Sequence, residues 1–181
     1  MYCGNNKMAL ASQRQIADAL LSMLEEMSYG DISVSAICKR ADVSRQTFYS
    51  LFQSKDNVIT FTLRNDCCYS ADAQQGPCEC EAAFRQICVG FGRYIIQHAN
   101  VLALLTRHDL MPLLRAVLRE DFSKCLSLNM RYEPALQPYV IDYLASGIAS
   151  IAETYIRTGQ SADPHQLEDI IYLLMHGKYY R

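Results

Sequence analysis

ISVSAICKRADVSRQTFYSLFQSKD, residues 32–56, carries two short apolar faces separated by a turn. Val34, Ile37, Cys38 and Ala41 recur at three- and four-residue spacing, and so do Phe48, Leu51 and Phe52, which predicts two helices of about eight residues each. Ser33 and Ser44 stand just before those faces, where a serine hydroxyl can accept a backbone N–H that a helix start leaves unpaired. Ala41-Asp42-Val43-Ser44 joins them. Two short helices linked by so brief a turn make the helix-turn-helix plan, in which the second helix is offered to the DNA major groove.

Outward from this stretch the periodicity stays helical. Upstream, Ile16, Leu20, Leu21, Leu24 and Met27 form one apolar stripe on a helix expected over about Lys7 to Ser28, stopped by Tyr29-Gly30. Downstream, Lys55-Asp56 open a helix carrying Val58, Ile59, Phe61 and Leu63. Gln74-Gln75-Gly76-Pro77 is the clearest break, so residues 1–65 are expected to form one module and residues 66–181 a second, larger one. In the second, helices are expected over about Glu81 to Gln97, Val101 to Thr106, Met111 to Leu128, Pro138 to Thr158 and Pro164 to His176. Pro112, Pro138 and Pro164 sit where a first helical turn tolerates a missing N–H. With no strand-like alternation, the expected architecture is all-α.

Composition excludes several function classes. The chain has 181 residues, 50% of them hydrophobic, with 17 Lys and Arg against 19 Asp and Glu, so bulk basicity does not announce nucleic acid. Local charge does. Between Ser35 and Lys55 the cations Lys39, Arg40, Arg45 and Lys55 face one carboxylate, Asp42, where a groove-reading helix needs phosphate neutralisation. No stretch approaches the ~18 apolar residues of a membrane span, and the first residues lack a signal-like apolar run. A soluble, cytoplasmic protein with reduced thiols and no membrane partner is expected.

The residues of the quoted stretch resemble the helix-turn-helix signature of the TetR/AcrR family of bacterial transcriptional regulators. The likeness is dense over residues 10–63, weaker over Tyr139 to His176, and lacking between Asp66 and Pro138. One departure is Asp42, which occupies a turn position that is usually glycine in the family; aspartate tolerates the left-handed backbone next best. The resemblance implies a homodimeric DNA-binding regulator of the all-α class, most simply a repressor released by a small molecule. It implies DNA contacts by Ser44, Arg45, Gln46, Thr47 and Tyr49 around the start of the reading helix, with weaker candidates Ser35 and Lys39 on the preceding one. Arginine suits guanine, an amide suits adenine, and hydroxyls suit phosphates. Lys55 is similar to a lysine that grips the DNA backbone. Phe48 and Phe52 are assigned to the small module's core.

The resemblance also implies that the last two helices pair with those of a second copy. The candidates are Ile141, Leu144, Ile148, Ile151 and Tyr155 on the first and Leu167, Ile170, Ile171 and Leu174 on the second. Small Ala145, Gly147, Ala149 and Ala152 would let a partner helix approach. The same two helices can instead complete a monomer's core. An effector would lie in the larger module, with Phe91, Tyr94, His98, His108, Met111 and Tyr143 as lining candidates. Gly90 and Gly92 within one helix mark either close packing or a bend beside a cavity.

The eight cysteines show no Cys-x-x-Cys spacing or His pair suited to a metal, and no cofactor is implied. Thiol sensing, motivated by Cys67-Cys68 and Cys78-Glu79-Cys80, stands against reduced, incidental thiols. A co-regulator acting mainly through protein contacts is a second reading, motivated by Asp42 and the low basicity of the first module. No nucleophile motif, phosphate-cradling loop or carboxylate pair suggests an enzyme.

Overall fold

The computed structural model describes residues 7–65, 81–124 and 132–176, all of them helix, turn or connecting segment. The chain divides into two compact units, Met1–Asp66 and Cys67–Arg181.

Unit 1 holds α1 (Lys7–Glu26), a 3-10 turn (Tyr29–Asp31), α2 (Val34–Arg40), α3 (Arg45–Leu51) and α4 (Lys55–Asn65). The α1 stripe is buried through Ile16, Leu20, Met23 and Leu24, and it meets Ile37 of α2, Phe48 of α3 and Val58, Ile59 and Leu63 of α4 in one core. α1 stops two residues short of the expected end. Met27 is left 38% exposed, and Ser28 has already turned to extended backbone ahead of the 3-10 turn. Phe52 stacks between Phe48, with ring centroids 6.0 Å apart, and Phe61 at 5.5 Å edge to face. These rings join the end of α3 to α4.

Unit 2 holds α5 (Glu81–Gln97), α6 (Ala99–Arg107), α7 (Met111–Ser123), α8 (Gln137–Arg157) and α9 (Pro164–His176), numbered among the described residues. α5 packs on α9, while α6 and α7 pack on α8. Gly92 answers the question of the two α5 glycines: a Cβ there would lie 3.6 Å from the Glu168 backbone nitrogen and 3.8 Å from Ile171 Cδ1, so the helices meet closely at this point. Gly90 has nothing within 4 Å of such a Cβ. α9 begins with a reciprocal cap. Asp163 Oδ1 accepts the amides of His165 and Gln166, both at 2.9 Å, and Gln166 Oε1 accepts the Asp163 amide at 3.1 Å, with Pro164 in the first turn.

No single helix among the described residues is long and apolar enough to cross a membrane.

Candidate nucleic-acid interface

Local chemistry builds the reading helix. Ser33 Oγ accepts the Ala36 amide at 3.1 Å and starts α2, and Ser44 Oγ accepts the Thr47 amide at 2.9 Å and starts α3. Between them Asp42 takes the left-handed backbone, φ 51°, and the Val43 amide reaches back to the Cys38 carbonyl at 3.0 Å. This is the conformation that glycine adopts most cheaply, and aspartate adopts it here without breaking the turn.

α3 has two sides. Phe48 and Leu51 are buried and fasten it to the core, while Arg45, Gln46 and Tyr49 are exposed, Tyr49 at 57%. Burying the two apolar side chains therefore fixes which way the polar ones point. Tyr49 stands edge to face against Phe48 with centroids 5.5 Å apart, which braces its ring while leaving the hydroxyl outside. Thr47 is half-buried, its hydroxyl 2.9 Å from that of Ser44, so both hydroxyls belong to the cap. Lys39 is exposed on α2, and Ser35, half-buried on the same helix, accepts a hydrogen bond from the Arg45 guanidinium. A guanidinium has five donors, so this bond holds Arg45 while leaving donors for a base edge.

Besides Arg45, two more of the four clustered cations are engaged within unit 1. Arg40 forms a bidentate pair with Glu26 of α1, at 2.7 and 2.8 Å, and bonds Ser22 Oγ at 3.1 Å. The hydrogen bond from Arg40 holds the Glu26 carboxyl below its usual range. Lys55, expected to grip a phosphate, turns its ammonium inward in the DNA-free chain, donating to the carbonyls of Tyr29 at 2.5 Å and Ile32 at 3.0 Å, and lies 4.1 Å above the Tyr29 ring. The Tyr29 carbonyl accepts the Ile32 amide within the 3-10 turn and keeps a second lone pair for the ammonium, and the Ile32 carbonyl stands at the exit of that turn. Tyr29 donates its hydroxyl to Asp56 Oδ1; burial first, and then this carboxylate, push its phenol far above the ordinary tyrosine range. Neither contact carries a signal in helical periodicity.

In unit 2 a groove of about 790 Å³ runs along α8 and α9, lined among others by Tyr143, Gly147, Ser150, Ile151, Ile170 and Leu174. Around it Tyr139, Tyr143, Ile170, Leu173 and Leu174 stand 37 to 76% exposed. Of the expected partner contacts, Ile148 and Ile171 are 0 to 1% exposed in the unit's own core, Leu167 and Tyr155 are buried at the floor of the groove, and Ile141, Leu144 and Ile151 are half-buried. Ala145, Ala149 and Ala152 also face inward, leaving Gly147 as the small residue of that set in the groove. α8 is apolar on more than one side, and a stripe rule cannot say which side meets solvent.

The expected effector residues do not gather. Tyr143 lines the outer groove, which includes none of the other five. Phe91, Tyr94 and Met111 are buried, His98 and His108 half-buried; Phe91 packs on Phe122 with centroids 5.7 Å apart and Tyr94 on His98 at 4.5 Å. Cys38 and Cys88 are buried, and burial pushes the Cys38 thiol up, away from the reactive thiolate. Cys67, Cys68, Cys78 and Cys80 lie outside the described residues.

Comparison with known proteins bears on both units. The family model for bacterial regulatory proteins of the tetR family matches residues 16–60. The chain is 36% identical over 62 residues to the HTH-type dhaKLM operon transcriptional activator DhaS of Lactococcus lactis; the match takes in 34% of this chain and spans about a third, 33%, of that relative's length. Among solved structures, Lin0861 from Listeria innocua superposes with a TM-score of 0.76 at 18% identity, over 94% of this chain and 92% of that one. A TetR transcriptional regulator from Streptococcus agalactiae superposes with a TM-score of 0.59 at 19% identity, over 93% and 96%. At such identities the superpositions speak for the fold, and the family model speaks for the α1–α4 unit. Residues 16–60 therefore match the DNA-binding domain of the tetR family of bacterial regulatory proteins, in a chain whose described elements are all helical.

Proposed function

We propose that the chain acts as a homodimeric, sequence-specific DNA-binding regulator whose output responds to a small molecule held in unit 2. The observation that carries this reading is α3 itself: capped by Ser44, pinned by Phe48 and Leu51, and presenting Arg45, Gln46 and Tyr49 outward. Arg45 and Gln46 read base edges; Tyr49 and Lys39 position the unit on phosphates. The exposed apolar groove of α8 and α9 supports pairing with a second copy, because a monomer gains nothing by leaving such a face in water. Two copies then read half-sites at a fixed separation. The effector shifts the dimer between states of different DNA affinity, which requires that it bind them unequally. Occupying a promoter represses by default, since it denies the site to polymerase. The relative DhaS is by name an activator, so a reporter gene with the operator moved relative to the promoter tests the sign.

The test is fluorescence anisotropy on duplexes that the protein selects from a randomised pool, titrated across salt. Selective binding that weakens steeply with salt is expected. Binding no better than to random DNA would defeat the reading. A second reading, a co-regulator working mainly through protein contacts, is favoured by one observation: with Arg40 and Lys55 engaged internally, Lys39 and Arg45 are the outward cations of the 35–55 cluster. Its signature is binding to a protein partner with little dependence on salt.

A further inference from the structure

The cluster at the head of α4 is not used by the reading surface, yet it ties together three segments. Lys55, the first residue of α4, donates to the Tyr29 and Ile32 carbonyls on either side of the 3-10 turn. Asp56, the second, accepts the Tyr29 hydroxyl. The Ile32 amide also bonds the Tyr29 carbonyl, at 3.3 Å, and the Ile32 side chain is 2% exposed, so the turn has little freedom of its own. Ile32 leads directly into the Ser33 cap of α2. On the other side, α4 follows α3 after Phe52, Gln53 and Ser54, and Ser54 Oγ accepts the Asn57 amide at 3.3 Å.

α2 and α3 are therefore held at both ends from one place, the first turn of α4. An ammonium carries three donors. With two of them on carbonyls and the charge over a ring face, reaching a phosphate would cost Lys55 these contacts, which its partial burial strengthens.

Resting on the DNA-binding reading above, we propose that Lys55, Tyr29 and Asp56 form a clamp that sets the angle of the helix-turn-helix on α4, so that Lys55 is a positioning residue that supports DNA affinity through geometry and not through its charge on a phosphate.

The salt dependence of binding separates geometry from charge. Each phosphate neutralised by a lysine contributes about 0.9 to the slope of log affinity against log salt. For Lys55→Met, which keeps the stem and drops the charge, binding of the full-length protein to its selected duplex is expected to weaken about tenfold, the equivalent of one charge-assisted hydrogen bond, with an unchanged slope. Tyr29→Phe keeps the lysine charge and the ring but removes the bond to Asp56, and it is expected to weaken binding several-fold, again with an unchanged slope. A fall of about 0.9 in the slope for Lys55→Met overturns the proposal whatever its melting temperature does. So does unaltered binding by Tyr29→Phe, which decides the matter if Lys55→Met fails to fold. Salt-insensitive binding by the wild type would defeat the DNA reading itself. The clamp is then read in thermal unfolding, where Tyr29→Phe and Lys55→Met together are expected to lose less than the sum of their separate losses, and additive losses overturn it.

Discussion

Ile170 and Ile171 are neighbours on α9 with opposite surroundings, and truncating each to alanine tests the proposed pairing face. Ile170 is 41% exposed beside the groove, whereas Ile171 is 0% exposed against α5. Fully burying an isoleucine side chain is worth about 1.5–3 kcal/mol, so covering the exposed part of Ile170 by a partner is worth on the order of 1 kcal/mol. Twofold symmetry uses the residue twice. Ile170→Ala is therefore expected to weaken the dimer by about 2 kcal/mol, a rise in dissociation constant of roughly 30-fold. Ile171→Ala is expected to cost about 2–5 kcal/mol of folding stability through the cavity it leaves, and to alter association of the folded chain much less. Sedimentation velocity across protein concentration reads the dimer, and melting by circular dichroism reads the fold. A wild type that sediments as a monomer throughout, or an Ile170→Ala dimer as tight as wild type, refutes the assignment of this face.

Three other substitutions examine unit 1. Asp42→Gly relieves a positive φ and is expected to raise stability by up to about 1 kcal/mol in urea unfolding, less the extra freedom of glycine in the unfolded chain; it should also tighten DNA binding by removing a carboxylate beside α3. Ser44→Ala removes the cap of a seven-residue helix and is expected to cost about 1 kcal/mol, read as a lower melting temperature together with weaker DNA binding. Tyr29 has a raised pKa in the fold, so its contribution is complete below the ordinary tyrosine value of about 10 and is lost as pH climbs past it, where the unfolded chain ionises first. The stability gap between wild type and Tyr29→Phe is therefore expected to narrow above about pH 10, and a gap that is constant with pH argues against the raised phenol.

The parts of the fold that were legible are those governed by short-range rules. Ser33 and Ser44 had to precede apolar faces to be caps, and both hydroxyls accept the expected amides. Asp42 stood where a left-handed residue was needed and adopts one. Helix periodicity located Phe48 and Phe52 in the core for the same reason. It failed on α8, where apolar residues run around more than one side: the choice between Ile148, facing inward, and Tyr143, facing out, depends on α6 and α7 packing against one of those sides. The effector candidates lie apart for a different reason. They were chosen by residue type, and type does not record that Tyr143 lies on the outer groove while Phe91 is packed against Phe122.

Charge was the least legible property, because a sequence counts cations without showing which ones already have partners. Arg40 is committed to Glu26, fourteen residues away, and Lys55 to carbonyls twenty-six and twenty-three residues away. What remains outward from the cluster is Lys39 and Arg45, opposed by the exposed Asp42. Since phosphate contacts supply much of the affinity for DNA and base contacts supply the choice of sequence, so few outward charges leave a single copy with weak non-specific attraction and place the burden on α3. Weak attraction per copy favours reading by two copies, because a second half-site multiplies selectivity without adding charge that would bind any sequence. The paired cations work toward the same end from inside the domain, since a reading helix held rigidly loses less freedom on binding than one that must be ordered by the DNA.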